Sequence, residues 1–118
     1  MDEKTFKERT KKLAVQIIKQ VDNLPISRSA NAIANQLVRS GTSIGANYRA
    51  ACRAKSTPDM INKMKIVEEE ADETAYWLEL LVEAELVSQE NIANIYKETN
   101  EILAMTVSSI KTLRARKS

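Results

Sequence analysis

Two stretches hold the side chains that could do chemistry. Val67 to Glu73 reads VEEEADE, and Ser40 to Ala54 reads SGTSIGANYRAACRA, which includes the single cysteine, Cys52. Carboxylates gathered inside a helical protein can hold a di-iron centre. Such centres take Glu-x-x-His pairs from facing helices, and this chain has no histidine. An all-oxygen site has no ligand spacing to support it, so no metal and no cofactor is expected. Neither Cys52 nor any serine has a base titrating near neutrality to activate it, so nucleophilic catalysis is not expected. Gly41 and Gly45 fall inside a helical pattern rather than at its start, which is no place for a phosphate loop. The residues therefore point to a protein that is not an enzyme, with no catalytic residue and no small-molecule substrate.

The elements that position these residues are helices. At 118 residues the chain fits one domain able to bury a core without staples. Two glycines, two prolines and 4% aromatics are too few for a sheet protein, whereas Ala, Leu, Ile, Lys and Glu are abundant. A lone cysteine excludes an internal disulfide, and no apolar run is long enough for a membrane span or signal peptide, so a cytoplasmic location is expected.

Apolar residues recurring at three- and four-residue steps predict helices over about 3–23, 29–54, 58–86 and 89–115, in a single domain of residues 1–118. The expected core stripe of the first is Phe6, Leu13, Ile17, Val21 and Leu24, widened by Ala14 and Ile18; Leu24-Pro25 ends it. The second carries Ile33, Leu37, Gly41, Ile44, Tyr48 and Ala51, after a cap at Ser27 or Ser29. The third follows a Thr57 cap and Pro58, with Met60, Met64, Val67, Ala71, Thr74, Leu78 and Leu81 inward. The fourth follows Ser88 and carries Ile92, Ile95, Thr99, Ile102, Leu103, Thr106, Ile110 and Leu113, with Arg114 to Lys117 as a frayed tail. Short loops make chain neighbours antiparallel, so the expected fold is all-α, an up-down-up-down four-helix bundle.

Some residues exceed what a plain bundle needs. Mid-helix glycine costs about 1 kcal/mol relative to alanine, so Gly41 and Gly45 imply a close approach on that side of the second helix. Folding that helix back on the third about Ser56 sets Gly45 opposite Glu68 and Gly41 opposite Asp72. Glu70 then falls near an apolar stripe and needs a partner, for which Arg39, Asn47, Ser43 and Tyr48 are the candidates. The expected outcome is a polar network that fixes helix register. Ala32, Ala46 and Ala50 line the back of the second helix, and Ile66, Trp77 and Leu80 form a second apolar strip on the third. A helix apolar over more than one sector has more than one neighbour, which implies self-association through these six residues.

Charge is uneven. Residues 1–65 carry 13 Lys/Arg against 5 Asp/Glu, and residues 66–118 carry 5 against 11. This is either a basic surface for an anionic partner or helices that neutralise each other, with neutralisation expected to account for the larger part.

The segments RSGTSIGANYRAACRA and KIVEEEADETAYWLELL closely resemble the four-helix bundle proteins encoded in intervening sequences of bacterial 23S rRNA genes. The resemblance runs from FKERTKKLAVQII through LPISRSANAIANQLVRSG to Leu86 and weakens in the fourth helix. It implies a left-handed bundle assembling as a ring, a homopentamer. Accessory proteins of diversity-generating retroelements are similar in fold and bind nucleic acid, so RNA or DNA becomes a candidate partner. A sequence-independent binder needs clustered Lys/Arg. Lys4, Lys11, Lys12 and Lys19 on the first helix, with Arg49, Arg53 and Lys55 by the second turn, are the candidates. The alternative is an oligomeric protein scaffold without direct nucleic-acid contact.

Overall fold

The computed structural model describes residues 2–117, so the ends of the expected 1–118 domain, Met1 and Ser118, lie outside the described residues. Four helices, α1 (Glu3–Val21), α2 (Arg28–Cys52), α3 (Thr57–Glu83) and α4 (Gln89–Lys117), account for nearly all of them, and no strand is present among them. Each start is fixed by a short polar side chain accepting from a backbone N–H three residues on. Asp2 takes that of Thr5 at 3.1 Å, Ser27 that of Ala30 at 3.1 Å, Ser56 that of Asp59 at 3.2 Å and Ser88 that of Asn91 at 3.3 Å. The cap of α3 is thus Ser56 rather than Thr57. Asp59 reaches back from the first turn to accept from the Lys55 N–H at 3.1 Å, which locks the entry. The α3–α4 turn places Glu85 at φ 60, closing the helix with bonds from Leu86 N to Leu81 O and Glu85 N to Val82 O. The expected fraying tail is helical through Lys117.

The helices pack side by side into a rod of 49 × 21 × 21 Å, close to the about 44 Å span of the longest helix. α1 meets α2, α2 meets α3, α3 meets α4, and α4 returns to α1; the α1–α4 seam is much the slightest. Phe6, Leu13, Ile17, Leu37, Ile44, Met64, Val67, Leu78, Leu81 and Ile102 are fully buried between them. The core also holds hydroxyls at Thr10, Ser40, Thr74, Thr99 and Thr106. Most back-bond to a carbonyl of their own helix, as Thr99 does to Ile95 O and Thr106 to Ile102 O, both at 2.8 Å. Among the described residues no buried side-chain polar atom lacks a partner.

Two expectations about α1 and α2 need correction. Ile18 does not widen the core stripe; it is 43% exposed, and the inward position goes to Thr10. The glycines do not face α3. A Cβ on Gly41 would lie 2.5 Å from Ile17 Cδ1, and one on Gly45 would lie 3.0 Å from Thr10 Oγ1, so both open α2 to α1. The α2–α3 register is close to that expected, since Ser40 lies across from Thr74; the glycines sit further round the helix, on its other seam. No helix among the described residues is long and apolar enough to cross a membrane.

Candidate nucleic-acid interface and assembly face

The α2–α3 seam is polar where it meets solvent. The Arg39 guanidinium bridges Glu70, at 3.3 Å, and Glu73, and the Trp77 indole N–H donates to Glu73 Oε1 at 3.2 Å. Burial pushes the Glu70 carboxyl up, against the pull of Arg39. The hydrogen bond from Arg39 holds Glu73 below the usual glutamate range. The network expected around Glu70 is therefore smaller in one direction and larger in another. Ser43 donates to Arg39 O at 2.6 Å and Asn47 to Ser43 O at 2.8 Å, each within its own helix. Tyr48 turns to α1, its ring 4.5 Å from that of Phe6. Glu73 and Trp77 replace them. The signal was available, because Glu73 lies one turn from Glu70 on the side of α3 that borders α2.

Cys52 shows no sign of activation: burial pushes its thiol up, so it stays protonated at neutral pH. No three His, Cys, Asp or Glu side chains among the described residues converge to hold a metal.

Heptad spacing shows how the expected assembly residues lie about that ion cluster. Ala32, Arg39 and Ala46 form one row on α2, and Ile66, Glu73 and Leu80 form one row on α3. The Arg39–Glu73 pair joins the middle of each row, so Ala32 and Ala46 flank the same groove as Ile66 and Leu80. Ala50, Trp77 and Leu80 are half-buried, and Ala32, Ala46 and Ile66 are exposed.

All seven candidate nucleic-acid residues are exposed, and none has an ion-pair partner among the described residues. They do not form one cluster. The Phe6–Tyr48 contact brings the start of α1 to the end of α2, so Lys4, Arg49, Arg53 and Lys55 share one end of the rod. Lys11 and Lys12 lie midway along α1, and Lys19 is about 22 Å from Lys4 along the helix. A cavity of about 600 Å³ at that same end is lined by Glu3, Tyr48, Met60, Met64, Met105 and Arg116. At the far end, Gln20, Asn23, Glu85, Leu86, Ser88 and Gln89 line another.

Charge follows these ends. Leaving aside Arg9, Arg39 and the glutamates they hold at mid-rod, the half containing residues 2–12, 41–70 and 104–116 has 12 basic against 6 acidic residues, and the half containing 13–40 and 71–103 has 3 against 6. Among the described residues, Arg39 and Arg9 make ion pairs between helices, the latter with Glu98 at 2.6 Å and Glu101 at 3.3 Å. Much of the remaining charge is segregated along the rod instead. Lys63 and Lys65 at the start of α3, the former paired with Asp59 at 2.8 Å, and Lys111 and Arg116 at the end of α4 add to the basic half; the last two are far in sequence from the other candidates, and only the fold brings them to the same end.

A crystal structure of a protein of unknown function from the S23 ribosomal protein family of Bacteroides thetaiotaomicron VPI-5482 is similar to this chain. It is 40% identical over 90% of this chain and 98% of its own, with a TM-score of 0.83. No curated protein matches. The family model for the 23S rRNA-intervening sequence protein matches residues 3–108, which takes in most of α4 as well as the three helices before it. The chain belongs to the 23S rRNA-intervening sequence protein family.

Proposed function

We propose that this is a non-enzymatic, ring-forming four-helix bundle, up-down-up-down and left-handed, that serves in the cytoplasm as an RNA-associated accessory protein. The observation that carries this is the gathering of basic residues from all four helices into one half of the rod, with Lys4, Arg49, Arg53 and Lys55 exposed at its end. Lysine and arginine at such an end displace counterions from phosphates without reading sequence. One chain offers few contacts; a ring, a homopentamer on the family resemblance, multiplies them. The family's connection to rRNA genes supports RNA over DNA. The exposed Ile66 and the half-buried Trp77 favour a second reading, an oligomeric scaffold for a protein partner.

Titration of labelled single-stranded RNA, an RNA hairpin and duplex DNA at about 50 and 200 mM salt separates the two. Four phosphate contacts, the number one chain offers, predict a loss of about a hundredfold in affinity over that range, and contacts multiplied by a ring a steeper one, with little sequence preference. The variant Arg49→Glu/Arg53→Glu/Lys55→Glu is expected to abolish binding. No binding by the intact protein at the lower salt, or unchanged binding by the variant, overturns the nucleic-acid reading and leaves the scaffold.

A further inference from the structure

Val15, Ile18, Ile66 and Tyr76 are 44%, 43%, 41% and 51% exposed, and all four lie on α1 or α3, which sit diagonally across the bundle as α2 and α4 do. Val15 and Tyr76 have surroundings of opposite sign. On a helix surface a residue's neighbours are those three and four positions away. For Val15 these are Lys11, Lys12, Ile18 and Lys19: three ammonium groups and one apolar side chain. For Tyr76 they are Asp72, Glu73, Glu79 and Leu80: three carboxylates and one apolar side chain. The three lysines and Asp72 have no ion-pair partner among the described residues. Glu79 accepts from the Tyr96 hydroxyl at 2.8 Å and Glu73 is held by Arg39, so the acidic side is already set in place.

We infer that the Val15–Ile18 face of α1 docks on the Tyr76–Leu80 face of α3 in a second copy of this chain. This rests on the oligomeric reading above and names the surfaces that make it. Each patch has an apolar centre and a charged rim, as interfaces do. Like patches repel, because lysines would meet lysines or carboxylates would meet carboxylates. Unlike patches attract, so the contact is head-to-tail rather than two-fold, the geometry that builds rings when the rotation closes. Lys11, Lys12 and Lys19 are then spent on the neighbouring subunit, and the phosphate-binding role falls to Lys4, Arg49, Arg53 and Lys55.

Solution mass by light scattering on the full chain tests this with two charge reversals. The first is Lys11→Glu/Lys12→Glu/Lys19→Glu; the second is Asp72→Lys/Glu79→Lys. The intact protein is expected to assemble, each reversed variant to fall to the mass of one chain at micromolar concentration, and an equimolar mixture of the two to regain mass. A circular-dichroism melt shows whether each variant is folded, which all the substituted, solvent-exposed positions favour. Reversed variants that keep the intact mass, or a mixture that stays dissociated, overturn the pairing of these faces. An intact protein with the mass of one chain overturns the oligomeric reading itself and this inference with it.

Discussion

α1 meets its two neighbours in opposite ways. Towards α2 the helices approach until a single methyl group would not fit at Gly41, and side chains are missing where they would hold the backbones apart. Towards α4 contact is slight, a cavity opens at one end, and the seam is spanned by the long side chain of Arg9, which binds Glu98, Glu101 and the Met105 sulfur at 3.2 Å. Chain neighbours are joined by short turns and can be packed backbone to backbone. The closing seam joins the first helix to the last, and here it is bridged by reach. One seam is therefore sensitive to volume and the other to charge.

Adding volume at the tight seam is expected to have the largest effect. Gly41→Ala gains helix propensity but forces the fully buried Ile17 off its rotamer, for a net loss of about 1–3 kcal/mol. Ile17→Val removes Cδ1, the atom the new methyl would strike, so the double variant should recover part of the loss. Chemical denaturation of the two single variants and the double variant forms a cycle that reads this coupling. Additive losses would mean that the seam is set by something other than this contact.

Arg9→Met tests the open seam. It keeps the apolar stem of the side chain and removes the charged guanidinium, leaving Glu98 and Glu101 without this partner. Both ends of the Arg9–Glu98 pair are about a quarter exposed, so the expected loss is about 1 kcal/mol or less. It should shrink further at about 1 M salt, where the screening length falls to about 3 Å, whereas the Gly41 effect should not change. A salt-independent loss at Arg9 would show that packing, not charge, closes the seam.

The helices were legible in the sequence because periodicity, caps and prolines are local signals; each expected start lies within a residue of the observed one. Ser56 rather than Thr57 is the cap because its own backbone is extended while Thr57 is already helical, a distinction that two adjacent hydroxyls do not show in the sequence. Thr10, Ser40 and Arg9 were not legible in the same way. A buried hydroxyl that bonds back to its own helix looks polar in the sequence and is apolar in effect. Which seam the glycines face depends on a rotation of α2 about its axis, and the α2–α3 register does not fix that angle. The basic half of the rod draws on both ends of the chain, so a split of the sequence at residue 65 blurred a separation that the fold sharpens.

The smallest expected effect lies at the α2–α3 seam, where Glu70 and Glu73 share Arg39 and respond to acid in opposite senses. Glu73 is held low in the fold, so its stabilisation is present above the ordinary glutamate value of 4.5 and is lost as the pH falls through its lower folded value. Glu70 is held high because burial disfavours its charge, so the folded state keeps that proton longer than the unfolded chain does. Its contribution is fully present below 4.5 and is lost as the pH rises through the raised folded value. Arg39 stands half open to water, with 46% of its side chain exposed, so Glu70 is not one side of a sealed ion pair and its removal should not strand a buried charge. Glu70→Gln should therefore change stability at pH 7 less than Arg9→Met does, and should remove the gain in stability that the intact protein makes as the pH falls from the raised Glu70 value towards 4.5, leaving the fall below 4.5 as it was. Glu73→Gln should do the reverse, lowering stability at pH 7 and flattening its fall in acid. Urea midpoints for the intact protein and both variants at pH 3.5, 4.5 and 7 would measure this. Parallel pH profiles for the two variants would mean that the carboxylates titrate as one unit, with Arg39 moving freely between them.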